Sequence, residues 1–171
     1  MKENHGAVTF KGDPLTLLGD MPVVGSIAPD FVAISIEMQP VKLSYYRGKV
    51  VVLTAVPSLD TPVCDMEIRT FNEKAAEMGD EVVILTVSAD LPFAQARWCG
   101  GAGIDRVVTV SDYREREFGR KYGVLIKELL LLARTVFVVD REGVVRYVQL
   151  VKEVADEPNY DEVIDAVNSV L

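Results

Sequence analysis

Residues Val50 to Val56 read Val-Val-Val-Leu-Thr-Ala-Val, a nearly continuous apolar and largely β-branched run. A strand with one wet face alternates apolar and polar residues, so an unbroken run predicts a strand buried on both faces, with structure layered above and below it. Val82 to Val87 is a second such run and Val107 to Val110 a third. Helical patterns separate them. Cys64, Ile68, Phe71, Ala75 and Met78 recur at spacings of four, three, four and three, tracing one stripe that Met78-Gly79-Asp80 closes. Pro92 to Cys99 reads as a short helix closed by Gly100-Gly101.

Around this β-α-β-α-β centre, Val8 to Phe10 and Leu15 to Leu18 flank the turn sequence Lys11-Gly12-Asp13-Pro14, which predicts an N-terminal hairpin. Phe31 to Ile36 and Val41 to Leu43 read as short strands, and Arg114 to Tyr122 as a polar helix. Thr135 to Val139 and Val144 to Leu150 flank Asp140-Arg141-Glu142-Gly143, a second hairpin. Tyr160 to Leu171 reads as a terminal helix with Val163, Ile164, Val167 and Leu171 on its apolar side. The expected architecture is an α/β fold: a central mixed β-sheet flanked by helices on both faces, with an N-terminal β-hairpin. At 171 residues the chain is the size of one domain, expected to span 1–171.

Composition removes several function classes. Eighteen basic against 26 acidic residues give a net charge of −8, which disfavours nucleic acid or an anionic membrane surface as a partner. With one histidine, His5, a multi-histidine metal site is impossible and a Ser-His-Asp triad is not expected. The longest apolar candidate, Leu129 to Val139, is interrupted by Arg134 and falls short of the ~20 residues of a membrane span. The start, Met1-Lys2-Glu3-Asn4-His5-Gly6, shows no apolar signal region, which predicts a cytoplasmic chain. Two cysteines, Cys64 and Cys99, are then expected to be free, catalytic or redox-sensing rather than structural.

Cys64 follows Pro57-Ser58-Leu59-Asp60-Thr61-Pro62-Val63, the link from a buried strand to a helix. Thr61 is a good N-cap and Pro62 suits the first helical position, which puts Cys64 third in the helix. There, unpaired N–H groups and the positive end of the helix dipole favour an anion, a placement that lowers thiol pKa values. The same position equally suits a small apolar residue on the buried stripe. Asp65 and Glu67 oppose an anion, so a cation is wanted nearby. Arg134, entering a strand that should be buried, is one candidate; an ion pair with a structural carboxylate is the other reading of it. Cys99 ends its short helix, where the dipole disfavours a thiolate, but the glycines that follow would let the element unwind. The cysteines stand 35 positions apart, so no C-x-x-C motif is present.

The layout is compatible with a thioredoxin-like fold and also with other α/β sandwiches, while the motif Pro57-x-x-x-Thr61-x-x-Cys64, with Arg134 far downstream, resembles the active site of the peroxiredoxins, which implies the thioredoxin-like fold. The resemblance is closer to one subfamily, the bacterial thiol peroxidases, which are atypical two-cysteine peroxiredoxins. Val8-Thr9-Phe10-Lys11-Gly12, Ser88-Ala89-Asp90-Leu91-Pro92-Phe93-Ala94-Gln95 and Ala133-Arg134 followed by Val136-Phe137-Val138-Val139-Asp140 carry it, over essentially the whole chain. Trp98 departs from it, standing where the subfamily usually has phenylalanine. The resemblance implies a homodimer that reduces hydrogen peroxide and organic hydroperoxides. In it Cys64 is the peroxidatic cysteine and Cys99 the resolving one, closing an intramolecular disulfide that thioredoxin reduces. Thr61 and Arg134 would hold the thiolate and the peroxide oxygens, Pro57 would shape and shield the pocket, and no metal, haem or flavin is expected.

For any thiol, lowering the pKa from ~8.5 to ~6 raises the thiolate fraction at neutral pH about 30-fold, yet costs about 13-fold in nucleophilicity. A fast thiol peroxidase must therefore gain its rate by holding the peroxide in line and stabilising the departing oxygen. A thioredoxin-type disulfide reductase is the other enzyme reading, disfavoured by the missing C-x-x-C. A redox sensor using the same two thiols is the non-enzymatic one.

Overall fold

The computed structural model describes all 171 residues. The strands in chain order are β1 (Glu3–Phe10), β2 (Asp13–Leu18), β3 (Val32–Ser35), β4 (Pro40–Lys42), β5 (Val50–Ala55), β6 (Val82–Ser88), β7 (Val107–Ser111), β8 (Leu125–Ile126), β9 (Thr135–Val139) and β10 (Val145–Leu150). The helices are α1 (Pro62–Met78), α2 (Pro92–Ala102), α3 (Glu117–Lys121) and α4 (Tyr160–Val170). A seven-stranded sheet has the order β10-β9-β5-β6-β7-β3-β4, with β5, β6 and β7 parallel and the other pairs antiparallel. The parallel pairs are those that α1 and α2 connect, since a parallel pair needs a crossover long enough to return the chain. The molecule exposes 7964 Å², close to the about 8,300 Å² expected for its mass.

β5 is buried throughout, as its composition requires, and its two faces feed two cores. Val50, Val52 and Val56 pack with Cys64, Ile68 and Phe71 of α1 and with Val163 and Val167 of α4. Val51, Leu53 and Ala55 pack on the other side with Val8, Leu15 and Leu17 of the N-terminal hairpin and with Phe118 and Tyr122. The two faces are covered unequally. Long helices lie on one, while the other is covered by the small sheet β1-β2-β8 and the five-residue α3.

Several boundaries differ from expectation for identifiable reasons. The hairpin begins at Glu3 rather than Val8, so His5 lies on β1 with Nδ1 3.3 Å from Thr16 Oγ1. α2 continues through Gly100 and Gly101; it ends at Gly103, which supplies the left-handed backbone (φ 69°) that a helix terminus favours. Cys99 therefore sits inside the last turn and not at the end. α3 starts three residues later than Arg114, after Arg116 turns the chain at φ 53°. The buried Asp112 carboxylate then accepts the Phe118 and Gly119 N–H groups at 3.0 and 2.8 Å. Of the leucine run, Leu132 is core while Leu129 and Leu130 are exposed.

Candidate active site

β5 leads through the buried Pro57 into a loop that ends at Thr61, whose extended backbone (φ −127°, ψ 149°) precedes Pro62 in the first helical position. The Thr61 carbonyl accepts the Asp65 N–H at 2.9 Å, opening α1. Its hydroxyl does not cap the helix. It donates to the Ser58 carbonyl at 3.1 Å, closing the loop on itself, so the expected capping role is corrected. The loop carbonyl, which has no helical partner, takes the hydroxyl that the helix end would otherwise use.

Cys64 is the third helical residue and completely buried. Arg134, just before β9 and 2% exposed, reaches it from the neighbouring strand, where Thr135 pairs with Ala55 at the end of β5. Its Nη2 donates to Cys64 Sγ at 3.2 Å, and its Nη1 to Glu67 Oε2 at 2.5 Å. Nε and Nη2 also donate to the Val154 carbonyl, at 3.1 and 2.9 Å. The two readings of Arg134, partner of the thiol or of a structural carboxylate, are thus both realised by one guanidinium. Burial works against its charge, but the Glu67 carboxylate and the Cys64 sulfur outweigh burial and hold its pKa above the ordinary arginine value. Burial pushes the Glu67 carboxyl up to about 7, with Arg134 pulling only part of the way back.

Glu67 is the site residue that sequence reasoning placed wrongly, as an adverse charge instead of a member of the cluster. The signal was present: Glu67 lies three residues after Cys64, so it shares the buried face of α1 with Cys64, Ile68 and Phe71. Val154 was not expected at all, because it contributes only a backbone carbonyl. It is held by the tip of the N-terminal hairpin: Thr9 N donates to the Lys152 carbonyl at 2.7 Å and Val154 N to the Thr9 carbonyl at 2.8 Å. Glu153 locks this junction, accepting Thr9 Oγ1 at 3.1 Å, Gly12 N at 2.9 Å and Ala155 N at 2.9 Å.

Cys99 is a free, half-buried thiol with Sγ 3.4 Å from Thr109 Oγ1 on β7. Thr109 pairs with Thr86, Thr86 with Thr54, and Thr54 with Val136 on β9. Three strand spacings, about 14 Å, therefore lie between the strand under Cys99 and the one that Arg134 leads into. The structure joins Cys64, Glu67 and Arg134 by hydrogen bonds, with the Thr61 loop leading into them, and leaves Cys99 free, with Thr109 as its partner. No three or more His, Cys, Asp or Glu side chains cluster as metal ligands, and no helix is long and apolar enough to cross a membrane.

Residues 23–164 match the Redoxin family. The chain is 50% identical to a thiol peroxidase of Bacillus subtilis (strain 168) over 164 residues, 96% of this chain and 98% of the relative. The chain belongs to the redoxin family. Within it the chain is a peroxiredoxin-type thiol peroxidase: a thiol peroxidase of Clostridium acetobutylicum is 54% identical over 159 residues, 93% of this chain and 96% of that one. The crystal structure of a peroxiredoxin-like protein from Aquifex aeolicus superimposes with a TM-score of 0.91 at 44% identity, covering 100% of both chains. A thiol peroxidase from Chromobacterium violaceum shares the fold at 19% identity, with a TM-score of 0.85 over 95% of each chain.

Proposed function

We propose that this protein, acting as one domain over 1–171, reduces hydrogen peroxide and organic hydroperoxides with Cys64 as the attacking thiolate. The observation that carries the reading is the Arg134 guanidinium, fixed on Val154 and Glu67 and donating to Cys64 Sγ. A planar, multi-donor cation at that point is suited to hold a peroxide in line with the sulfur. The Cys64 thiolate attacks the terminal peroxide oxygen; a sulfur–oxygen bond forms, the oxygen–oxygen bond breaks, and the departing oxygen takes a proton and leaves as water or an alcohol. Thr61 and Arg134 stabilise the developing charge, and Pro57 shields the pocket from water. Cys64 is left as a sulfenic acid. The Cys99 thiol displaces its hydroxyl as water to give a Cys64–Cys99 disulfide, and thioredoxin or a similar dithiol returns both cysteines to thiols. In this reading the protein is cytoplasmic, and its working form is a homodimer, as the resemblance implies.

A turnover assay with a thioredoxin system, run on hydrogen peroxide and on an alkyl hydroperoxide, tests it. Sustained peroxide loss is expected from wild type and none from Cys64→Ser. Cys99→Ser should consume one peroxide per chain and stop. A single oxidation per wild-type chain, with no turnover, would assign the two thiols to sensing instead of catalysis. Wild-type turnover in Cys99→Ser would remove Cys99 from the cycle.

A further inference from the structure

α2 carries Cys99 but buries only Pro92 and Gln95. Its attachment to the sheet is correspondingly polar. Gln95 Nε2 donates to Ser88 Oγ and to the Val110 carbonyl, both at 2.9 Å, and all of these groups lie out of solvent. Ser88 Oγ passes the connection on, donating to Asp90 Oδ2 at 2.8 Å. The same carboxylate also faces the loop that leads into α1: Oδ1 accepts the Ser58 hydroxyl at 2.7 Å and Oδ2 the Leu59 N–H at 2.8 Å. Ser58 in turn offers its carbonyl to the Thr61 hydroxyl. One carboxylate thus joins the loop that positions Thr61 to the strand end from which the Cys99 helix departs. Beside this joint the two segments are parted by a groove of about 360 Å³, lined by Leu59, Asp60, Ala94 and Trp98 among others. Trp98 is the α2 side chain that packs against the core containing Leu59 and Cys64, so beyond that one contact the joint is polar.

We propose that Asp90 is a positioning residue that latches the Thr61–Cys64 loop to α2. Latched, it holds Thr61 and Cys64 in place for attack on peroxide; unlatched, it frees both segments together so that the thiols can meet. The proposal rests on the two-cysteine cycle proposed above. The step it governs is the condensation of the Cys64 sulfenic acid with the Cys99 thiol. In that step the sulfur–sulfur bond forms, the sulfur–hydroxyl bond breaks, and the thiol proton leaves with the hydroxyl as water, so no further oxidant is needed. A residue that only supported the fold would slow both half-steps when removed. A latch predicts opposite signs, because bonds that favour the folded loop oppose the opening that the disulfide requires.

The test uses full-length Asp90→Asn and Ser58→Ala, the second removing the Ser58 bond to Asp90 and the Asp60 N–H bond that the same hydroxyl accepts at 3.1 Å, while leaving the Asp90 carboxylate and its other partners in place. Attack is timed in a Cys99→Ser background as loss of one equivalent of hydrogen peroxide. Disulfide closure is timed with Cys99 present, by mass spectrometry of quenched samples. For Asp90→Asn we expect attack about tenfold slower and closure about tenfold faster, the scale of one lost hydrogen bond to a charged acceptor. Ser58→Ala should shift both in the same directions by less. Both rates falling together, or closure unaltered in both variants, would overturn the latch. If wild type closes its disulfide while neither variant departs from it, the latch alone fails; if wild type forms no Cys64–Cys99 disulfide, the two-cysteine reading fails and the latch with it.

Discussion

Arg134 Nη1 donates to Glu67 Oε2 across 2.5 Å, with side chains 2% and 0% exposed. The other arm of the guanidinium is on Cys64 Sγ, so one buried cation serves two acids three residues apart on α1. Glu67 Oε1 has no hydrogen-bond partner. A buried ion pair of this kind recovers its desolvation cost only when its geometry and remaining bonds are satisfied, and here one carboxyl oxygen is left open. That imbalance is what burial expresses in raising the Glu67 carboxyl to about 7.

Glu67→Gln should therefore alter a pH dependence and not merely a rate. The charged groups facing Glu67 are Arg134 and Glu157, with the Cys64 sulfur and the Tyr160 hydroxyl as its other titratable neighbours. Wild-type peroxide attack should show an inflection near 7, the value of the Glu67 carboxyl, that the glutamine variant lacks. Stability should follow the same group. Folded Glu67 binds its proton more tightly than the unfolded chain does, so its contribution is full below the unfolded value of 4.5 and is lost as pH rises through about 7. From pH 5 to pH 8, wild type should lose up to about 3 kcal/mol relative to Glu67→Gln in denaturant melts. Parallel curves for the two proteins would show that Glu67 does not titrate in this window.

Arg134→Lys keeps the charge and discards the fork. The guanidinium serves three acceptors in different directions, namely Glu67, Cys64 and the Val154 carbonyl. A single ammonium cannot span that set, and losing one charge-assisted bond at the sulfur corresponds to a slowing of roughly tenfold or more. Stopped-flow attack on hydrogen peroxide measures it. A rate within about threefold of wild type would reduce Arg134 to a point charge.

How much of this was readable follows from what each residue's neighbours had to do. β5 and the α1 stripe were legible because burial on both faces, and burial of one helix face, leave period and composition behind in the chain. Cys64 in the first turn was legible from Thr61-Pro62, since backbone geometry at a helix start is local. The Thr61 hydroxyl was misread as a cap because the competing Ser58 carbonyl depends on how the loop folds back. Glycine spacing placed the end of α2 too early; only Gly103 adopts positive φ there, and Gly100 and Gly101 remain helical. The carbonyl of Val154 has no side-chain signature whatever. The two-residue β8 is too short for periodicity to register, its existence being set by pairing with β2.

Glu153→Gln should disturb the active site from the far side of Arg134. Hydrogen bonds from the N–H groups of Ala155 and Gly12 hold the Glu153 carboxyl down at about 2. A depressed carboxyl contributes stability above its unfolded value of 4.5 and loses it as pH falls through about 2. The variant should melt about 2–4 °C below wild type at pH 7, and the gap should narrow as pH falls from 4.5 through about 2, the range in which the glutamate side chain gives up its charge and comes to match the neutral glutamine. Because Glu153 fixes the strap that presents the Val154 carbonyl, peroxide attack should also slow about threefold, on the scale of a weakened neutral hydrogen bond. A melting gap that persists unchanged at low pH would mean that the carboxylate charge is irrelevant to the junction.

The last prediction uses the probe that lies next to Cys99. A disulfide requires its Cα atoms within about 7 Å. Cys64 is sealed beneath Arg134 in the first turn of α1, while Cys99 rests on Thr109 near the end of α2, over a strand three places from β9. Closing the bond should therefore unwind the end of α2, which is the less committed of the two, with Pro92 and Gln95 its only buried residues. Trp98, the only tryptophan, packs against the core that contains Cys64 and has the Arg69 guanidinium 5.9 Å from its ring centroid. Unwinding should strip away both neighbours and move the indole into water. One equivalent of hydrogen peroxide should thus red-shift tryptophan emission, a dithiol should reverse the shift, and Cys64→Ser should show none. Cys99→Ser should be oxidised at Cys64 yet keep the emission of the reduced protein, because the disulfide and not the sulfenic acid drives the unwinding. A full-sized shift in Cys99→Ser would assign the motion to sulfenic acid formation, and a wild-type disulfide formed without any shift would mean that α2 stays wound as the thiols meet.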